Sequence, residues 1–220
     1  MRIVGGKWRG RNIQPPKGYA LTRPTAERTR EAIASSILAS FGLNLKGASV
    51  LDAFAGSGAM GLELLSRGAA HVTFVDQDRK TVARIQKNAQ SLGARAQEVD
   101  VLCHNTLRLA ERKILPGAPF NIVFLDPPYA FEGAQISALL DSLVAVGALA
   151  PNALIVYEHG ATTLGIAQES MVSVKSKRYG IACVDFMRLR VDHQKSLGEK
   201  SAAAEDKIRN QAEGEICGED

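Results

Sequence analysis

Short apolar segments alternate with amphipathic segments over residues 25–191, and this alternation restricts the fold more than any other feature. The apolar segments at 71–76 (HVTFVD) and 120–126 (FNIVFLD) lack the regular polar alternation of a strand with one face in water. Amphipathic helical segments lie between the apolar ones, at about 26–41, 60–68, 78–93 and 132–147. The pattern predicts an α/β fold, with a mostly parallel sheet covered by helices on both faces.

The end of this region predicts a different strand pairing. Beyond the two strands above, strands are predicted at 48–54, 96–103, 153–159, 171–178 and 181–191. The last two are joined by the residues RYG at 178–180, and so short a connection does not allow the crossover that parallel strands need. We therefore expect a seven-stranded sheet whose last strand is antiparallel.

The composition is that of a globular domain: 45% of the 220 residues are hydrophobic, and no apolar run reaches the roughly 18 residues of a membrane span. The first ten residues, MRIVGGKWRG, lack the hydrophobic core of a secretion signal. The three cysteines, at 103, 183 and 217, are too few and too far apart for a metal cluster or a disulfide framework. The four histidines show no metal-ligand spacing. We expect a cytoplasmic protein that needs no metal and is active as a monomer.

Charge is unevenly distributed along the chain. Residues 1–30 contain eight basic residues and one acidic residue, whereas residues 191–220 contain four basic and eight acidic ones. This predicts a basic N-terminal arm over 1–24 that binds a polyanion, a folded domain over 25–193, and a mostly disordered acidic tail over 194–220. Aromatic residues within the arm suit unpaired RNA bases, although a solvated surface is the alternative. The candidate RNA-binding residues are Arg2, Lys7, Trp8, Arg9, Arg11, Arg23, Arg28 and Arg30.

A glycine-rich turn lies between the first predicted strand and the helix that follows it, in the segment LDAFAGSGAMGLE. Gly56, Gly58 and Gly61 have the spacing that lets a ligand approach the backbone and lets the helix pack close to the strand. Asp76 ends the next strand, where an acidic residue commonly holds the hydroxyls of a ribose. By itself the motif fits a dinucleotide enzyme equally well, and it is also compatible with a turn that binds no ligand.

Asp52, just before the glycines, distinguishes between nucleotide cofactors. A carboxylate there would repel the pyrophosphate of NAD by a few kcal/mol, as an order of magnitude, in a low-dielectric cleft. It would attract the ammonium of S-adenosylmethionine, directly or through water, because that cofactor is cationic and has no phosphate. The acids at 52 and 76 therefore favour S-adenosylmethionine. Asp52 has a second possible role, which is to cap the turn by accepting backbone N–H groups.

The segment NIVFLDPPYAF predicts the reacting end of the site, because Asp126 directly follows a buried strand. The carboxyl ends of parallel strands line the ligand crevice, so Asp126 should face the glycine turn. Its carboxylate and the Pro127 carbonyl can each accept one N–H of an exocyclic amine and aim the nitrogen lone pair at a methyl group. Pro128 keeps Pro127 extended, and Tyr129 offers a ring for base stacking. A simple strand exit is the alternative reading of Asp-Pro-Pro.

At these motifs the chain resembles the Rossmann-like, S-adenosylmethionine-dependent methyltransferases, and DPPY is similar to the signature of those that methylate amines. The segments MRIVGGKWRGRNI, TRPTAERTRE, LDAFAGSGAMGLELLSRGA and IVFLDPPY together resemble the RsmD family, the bacterial 16S rRNA guanine-N2 methyltransferases. The resemblance covers about residues 1–190.

The resemblance implies a seven-stranded Rossmann-like methyltransferase fold and transfer of a methyl group to one guanine of 16S rRNA within the 30S subunit. S-adenosylhomocysteine would be the product. It places the amine-positioning roles on Asp126, Pro127, Pro128 and Tyr129. It places cofactor binding on Asp52, Phe54, Ala55, Gly56, Gly58, Gly61, Asp76 and Gln77. The contact to the cofactor's adenine amine stays open among Asp100, His104 and Asn105.

Three other functions stay open from sequence alone. A methyltransferase acting on a DNA adenine or cytosine amine, or on a protein glutamine, would use the same DPPY motif, although the basic aromatic arm suits a protein substrate poorly. An NAD-dependent enzyme would explain the glycines and Asp76 but neither Asp52 nor Asp126. A non-catalytic RNA-binding module would explain the basic arm but leave Asp126–Tyr129 without a purpose.

Overall fold

The structure is a computed structural model that describes residues 1–15, 24–112, 114–128, 130–162, 165–166 and 168–190, with only the backbone of 24–26. Four helices and seven strands form its framework. The helices are α1 (Pro24–Ser40), α2 (Ala59–Ser66), α3 (Arg79–Leu92) and α4 (Gly133–Ala145). The strands are β1 (Ser49–Asp52), β2 (His71–Asp76), β3 (Val99–Cys103), β4 (Phe120–Leu125), β5 (Leu149–Gly160), β6 (Met171–Tyr179) and β7 (Ala182–Leu189). Short 3₁₀ turns lie at Gly6–Trp8, Ala96–Glu98 and Thr106–Glu111.

The seven strands form one sheet in the order β3-β2-β1-β4-β5-β7-β6. The pairs from β3 to β5 are parallel, and β7 is antiparallel to both β5 and β6. The predicted fold is confirmed: the sheet is mostly parallel, its last strand is reversed, and the β6–β7 hairpin forms across the short RYG connection. The long connection after β1–β2–β3 returns the chain to β4 beside β1, which places β1 and β4 at the centre.

Two hydrophobic layers cover the two faces of the sheet, as the unalternated strands predict. One layer joins α1, α2 and α3 to alternate strand residues such as Val50, Phe124 and Val156. The other joins α4 and the Thr106–Glu111 turn to the intervening residues, among them Leu51 and Leu125. Because successive residues of a strand point to opposite faces, membership of these layers shows which face each residue occupies.

The helix boundaries follow local capping chemistry. Asp78 caps α3 by accepting the backbone N–H groups of Lys80 and Thr81, and Gly93 ends the helix in the left-handed conformation at φ 78°. The start of α1, predicted at about residue 26, is corrected to Pro24. Proline suits a first helical position, since its fixed φ is helical and its missing N–H is not needed there.

The N-terminal segment is part of the folded domain. Ile3, Trp8 and Ile13 are buried, at 0%, 6% and 4% exposure, and pack in the same layer as α1 and α2. The carboxylate of Glu63 on α2 is fully buried and accepts the backbone N–H groups of Val4 and Gly5, both at 2.8 Å. Glu63 also accepts from Arg67 Nε at 2.8 Å. One buried carboxylate therefore fastens the start of the chain to the helix that follows the glycine turn.

We predict that Glu63→Gln lowers the free energy of unfolding by about 2–4 kcal/mol, since it weakens a buried ion pair and three hydrogen bonds together. The Val4 and Gly5 amides should also exchange their hydrogens faster, because their acceptor is weakened. Urea unfolding and amide exchange measure the two effects. Glu111→Gln is the control: Glu111 pairs with Arg108 on the surface, so its midpoint should match the wild type. Equal midpoints for both variants would contradict the anchoring role.

Candidate active site

Four carboxyl groups lie at the carboxyl ends of four neighbouring strands. Asp76 ends β2, Asp52 ends β1, Asp126 directly follows β4, and Glu158 lies near the end of β5. The register places Asp52 beside Phe124 and Tyr157 beside Leu125, so the acids follow one another in the strand order β2-β1-β4-β5. This row forms one wall of the crevice in which open α/β sheets bind ligands.

The glycine turn joins β1 to α2 in the conformation that its sequence predicts. Gly56 and Gly58 have φ values of 54° and 74°, in the left-handed region where a side chain is strained. Gly61 lies within α2, and a Cβ there would come within 2.3 Å of Phe74 Cε1 on β2. Gly56 and Gly58 therefore form a sharp turn, and Gly61 allows the close packing of helix on sheet that the sequence predicts.

Asp52 is buried at 2% exposure, and its Oδ2 accepts the backbone N–H of Gly61 at 2.9 Å. The capping role that the sequence left open is therefore realised. Burial raises the pKa of this carboxyl to about 7, the Gly61 hydrogen bond opposes the shift, and the charges of Asp126 and Asp76 add to it. Asp52 is consequently a buried acceptor that holds the turn rather than a side chain exposed to the crevice.

Asp76 is half-buried and holds the glycine turn from the β2 side. Its Oδ2 accepts the N–H of Gly56 at 3.0 Å, and its Oδ1 accepts the N–H of Asp78 at 2.9 Å. Each carboxylate oxygen has two acceptor sites, so both oxygens can still accept a ribose hydroxyl. The hydrogen bonds fix the orientation of the carboxylate before any ligand binds.

Asp126 lies at the mouth of the crevice. Its side chain is accessible to solvent, but protein atoms crowd around it, and this desolvation raises the pKa of its carboxyl to about 6. The Pro128 carbonyl accepts the N–H of Phe131 at 3.0 Å, whereas the Pro127 carbonyl has no hydrogen bond within the described ranges. The acceptor that the sequence assigns to an amine is thus the one left available. Tyr129 lies outside the described residues.

A contact between Phe54 and Phe131 joins the segment after β1 to the segment after β4. Phe54 follows β1, Phe131 follows the DPPY segment, and their rings meet edge to face with centroids 5.3 Å apart. Ala55 is buried and donates its N–H to the Val75 carbonyl at 3.0 Å, while Gln77 is exposed just beyond β2. The predicted cofactor residues Phe54, Ala55 and Gln77 therefore all lie at the carboxyl ends of β1 and β2.

The candidates for the adenine contact separate clearly. The candidacy of Asp100 for this contact is corrected, because Asp100 lies near the start of β3, away from the crevice. It pairs with His71 Nε2 at 2.9 Å. His104 and Asn105 directly follow β3, and the His104 N–H donates to the Asp76 carbonyl at 3.0 Å. The structure brings His104 and Asn105 to the crevice edge beside Asp76 and leaves Asp100 out.

Sequence reasoning missed Glu158. It is half-buried, and burial, together with the negative charge of Asp126, raises its pKa to about 7. The signal was present in the segment ALIVYEH, since Glu158 follows a buried strand just as Asp126 does. Only the strand order shows that β5 is the neighbour of β4, which makes the two acids adjacent.

The predicted RNA-binding residues divide into structural and exposed groups. Trp8 is a core residue at 6% exposure, and Lys7 Nζ lies 4.5 Å from its ring centre. The prediction that Trp8 stacks on an RNA base is therefore corrected. Arg30 is also buried, at 7% exposure, and donates to the Arg2 carbonyl at 2.5 Å. The exposed residues are Arg2, Lys7, Arg9, Arg11 and Arg28, and Arg23 lies outside the described residues.

Three of the exposed basic residues also have structural partners. Arg2 Nε is 3.0 Å from Glu27 Oε2, and Lys7 Nζ is 3.3 Å from Glu98 Oε1. Arg11 donates to the Leu92 carbonyl at 2.7 Å and to the Ser91 carbonyl, which satisfies the end of α3. Arg9 and Arg28 are therefore the arginines of the described segment that are most available to a phosphate.

Two further observations concern the described part of the chain. No group of three or more His, Cys, Asp or Glu side chains in it has the geometry to hold a metal ion. Among the same residues, no helix combines the length and apolar character that crossing a membrane requires.

The strand order, the reversed β7 and the glycine turn facing an acidic crevice define a Rossmann-like methyltransferase fold. The solved structure of yhhF from Escherichia coli has this architecture, with a TM-score of 0.72 and 32% identity, covering 87% of this chain and 98% of that one. A magnesium protoporphyrin IX methyltransferase from Synechocystis PCC 6803, solved with bound SAM, shares the fold at a TM-score of 0.58 and 18% identity, covering 75% of this chain and 80% of that one.

The chain belongs to the family described as conserved hypothetical protein 95, which matches residues 1–188 and is the RsmD family of the sequence resemblance. The predicted family is confirmed. A Haemophilus influenzae relative named ribosomal RNA small subunit methyltransferase D is 34% identical over 184 residues, covering 82% of this chain and 90% of the relative. The Escherichia coli K12 protein of the same name is 39% identical over 158 residues, covering 72% and 74%.

The raised pKa of Asp52 predicts how stability changes with pH. Its folded pKa of about 7 exceeds the unfolded value of about 3.9, so between those values the folded state holds a proton that the unfolded state has released. Stability should therefore fall as pH rises from about 4 to 7, by an amount on the order of 4 kcal/mol. Asp52→Asn keeps an acceptor for Gly61 but does not titrate, so urea unfolding at pH 5 to 8 should show a smaller slope.

In Asp52→Asn, the remaining dependence of stability on pH comes from Asp126 and Glu158, whose pKa values are also raised. The matched control is Asp141→Asn on the exposed face of α4, which should keep the slope of the wild type. An Asp52→Asn protein whose stability falls with pH as steeply as the wild type would show that Asp52 is ionised throughout.

Proposed function

We propose that the protein transfers a methyl group from S-adenosylmethionine to the exocyclic N2 amine of a guanine in 16S rRNA. The observation that carries this proposal is the pair of acceptors after β4: the Asp126 carboxylate and the Pro127 carbonyl, neither of which has a hydrogen bond within the described ranges. They stand at the strand end next to the glycine turn. The relatives named ribosomal RNA small subunit methyltransferase D support the RNA substrate and the class of reaction.

The charge of the crevice supports the choice of cofactor. Asp52, Asp126 and Glu158 all have pKa values raised by burial, and Asp52 and Glu158 also by neighbouring acids, so further negative charge is unfavourable there. A pyrophosphate would add such charge, whereas a sulfonium and an ammonium would reduce the repulsion. S-adenosylmethionine would supply an electrophilic methyl group when bound. Asp76 would hold its ribose, and the Gly56–Gly58 backbone would lie against it.

The protein's part in the reaction is positioning and charge. Asp126 and the Pro127 carbonyl would accept the two N–H groups of the amine and so direct the nitrogen lone pair toward the crevice. Pro128 limits the backbone freedom of Pro127, and the bond from Phe131 N–H to the Pro128 carbonyl at 3.0 Å holds the turn. Asp126, with a pKa of about 6, is mostly ionised at neutral pH and can accept the proton that the methylated nitrogen releases. Tyr129 is assigned the stacking of the base.

The exposed part of the N-terminal segment suits contact with RNA. Arg9 and Arg28 are exposed, and phosphate contacts by such residues would position the substrate without reading its sequence. We infer a cytoplasmic monomer that acts on rRNA within the 30S subunit or a late assembly intermediate. The acidic tail over 194–220 has no assigned role and lies outside the described residues.

The reaction is tested with S-adenosylmethionine carrying a labelled methyl group. The substrates are 30S particles from cells that lack this enzyme, naked 16S rRNA from those cells, and a DNA duplex. We expect label in N2-methylguanosine from one position of the 16S rRNA, more from particles than from naked RNA. Label only in N6-methyladenine, or only in DNA, would overturn the proposal.

We predict that Asp126→Asn lowers kcat for methyl transfer by about 10²- to 10³-fold, because the amide keeps an acceptor oxygen but lacks the negative charge that stabilises the methylated nitrogen and cannot accept its proton. The affinity for S-adenosylhomocysteine should change by no more than about threefold, since the glycine turn is untouched. Single-turnover kinetics and calorimetry measure the two quantities.

Asp141→Asn is the control with the same chemical change, and it should have wild-type kinetics. Two outcomes would remove Asp126 from the reaction: wild-type turnover in Asp126→Asn, or a loss of turnover explained entirely by weaker cofactor binding.

A further inference from the structure

Glu158 lies beside Asp126 on the substrate side of the crevice. The pairing of Tyr157 with Leu125 makes Glu158 and Asp126 the next residues on two neighbouring strands, which are separated by about 4.8 Å. Val156 and Phe124, two residues earlier in each strand, pack in the same hydrophobic layer. By strand alternation the two carboxylates therefore face the same side of the sheet, which is also the side of Asp52.

The carboxylate of Glu158 has no hydrogen bond from any residue that the structure describes. Its neighbour His159 points to the opposite face, where it stacks on Tyr157 and its Nε2 lies 3.1 Å from Asp185 Oδ2. The residue beside Glu158 on β7 is Val184, which is apolar and fully buried. A half-buried acid next to another acid is costly unless something donates hydrogen bonds to it.

The charged groups that face this position are few. On β4 the facing group is Asp126, and on β6 it is Lys177, which lies beside Val184. Lys177 Nζ donates to Ser36 Oγ of α1 at 3.2 Å, so its ammonium is directed to the helix. No side chain that the structure describes pairs with the Glu158 carboxylate, which leaves it available to a bound molecule, and the proposed function supplies one beside Asp126.

Guanine offers the matching donors. Its Watson–Crick edge carries two N–H groups on N2 and, directly beside them, the N–H of N1. If Asp126 and the Pro127 carbonyl accept from N2, the next acceptor along the sheet meets N1–H. Adenine presents an unprotonated N1 next to its amine, and cytosine an unprotonated N3, and each would face a carboxylate with its lone pair. Sites that hydrogen-bond one such group discriminate strongly against bases that lack it.

We propose that Glu158 accepts the N1–H of the target base and thereby selects guanine over adenine and cytosine. This inference rests on the proposed function and adds the residue that distinguishes the base, since Asp126 and Pro127 recognise only an amine. Glu158 contacts the substrate as a specificity residue and takes no part in breaking or forming bonds.

The protonation state of Glu158 then controls recognition. Burial and the charge of Asp126 raise its pKa to about 7, so a large part of the free enzyme carries a protonated Glu158 at neutral pH. Only the ionised form accepts N1–H well. We expect kcat/KM on guanine to rise as pH increases through about 7. Glu158→Gln should lose the part of this rise that Glu158 contributes and keep the part due to Asp126 and Asp52, whose pKa values are about 6 and about 7.

The test reverses the proposed hydrogen bond on each side. On the base, N1 is changed from a donor to an acceptor, and at residue 158 the carboxylate acceptor is changed to an amide that can donate. The substrates are 30S particles reconstituted with 16S rRNA that carries either guanine or 2-aminopurine at the mapped position. 2-Aminopurine keeps the N2 amine but has a lone pair at N1. The wild type should prefer guanine by about 100-fold or more in kcat/KM. Glu158→Gln can donate its amide N–H to that lone pair, so its preference should fall to near unity or reverse.

Three controls separate recognition from folding and from the wider proposal. Glu169→Gln, at an exposed site between β5 and β6, should keep the wild-type preference. Glu158→Asp keeps the charge and should keep the preference for guanine at a reduced rate. The affinity of Glu158→Gln for S-adenosylhomocysteine should match that of the wild type, and its melting temperature at neutral pH should be no lower, because the variant removes a costly charge.

The outcomes are distinguishable. If the wild type methylates guanine N2 and Glu158→Gln keeps both its rate and its preference, the role of Glu158 is refuted while the proposed function stands. If Glu158→Gln loses activity equally on both bases, Glu158 supports the structure and does not read the base, and the inference also fails. If the wild type does not methylate guanine N2 at all, the proposed function itself fails.

Discussion

The removal of neighbouring carboxyl groups from water is the constraint on which the site depends. The sheet order sets Asp76, Asp52, Asp126 and Glu158 in a row along four adjacent strand ends. Desolvation raises the pKa values of the last three, and neighbouring acids add to the shifts of Asp52 and Glu158, so folding carries a cost here. Ligands that bring positive charge or N–H donors offset that cost, and binding them stabilises the folded state. The row also divides the crevice, because β2 and β1 hold the glycine turn, whereas the acids at the ends of β4 and β5 accept no hydrogen bond from the part of the chain that the structure describes.

The rest of the fold keeps this row in place. Gly61 lets α2 approach Phe74 on β2, and Asp52 accepts the Gly61 N–H, so strand, turn and helix are held by one buried contact. The N-terminal segment is fastened to the same unit. Asn88 on α3 bonds the Gln14 backbone in both directions, at 2.8 and 3.1 Å, and also donates to the Ser57 carbonyl at 3.2 Å. A segment that the charge pattern assigns to RNA is thus bonded to residues that also hold the glycine turn.

The sequence predicts the framework well because strong local signals agree with one another. The unbroken apolar strands predict the covered parallel sheet, and the short connection before β7 predicts the antiparallel pair, and the structure has both. Asp126 and the glycine turn were found for the same reason, since each follows a buried strand directly. Glu158 follows one too, but its importance depends on β5 pairing with β4, which is a long-range fact.

The basic arm shows where charge alone misleads. Clustered arginines and a tryptophan suggest a surface that binds RNA, yet Trp8 packs in the core and Arg30 is itself buried and bonds the Arg2 carbonyl. Arg11 satisfies the carbonyls that end α3. A basic side chain can bind a partner or stabilise the fold of its own chain. The sequence does not distinguish these two roles, because both place the same residue types in the same segment.

The central claim is that the row of acids selects a cationic, phosphate-free cofactor, and calorimetry at pH 8 tests it most directly. At that pH Asp52, Asp126 and Glu158 are mostly ionised, so discrimination by charge is at its strongest. The account predicts that S-adenosylmethionine binds with micromolar affinity and that NADH shows no measurable binding. Binding of NADH as tight as that of S-adenosylmethionine would contradict it.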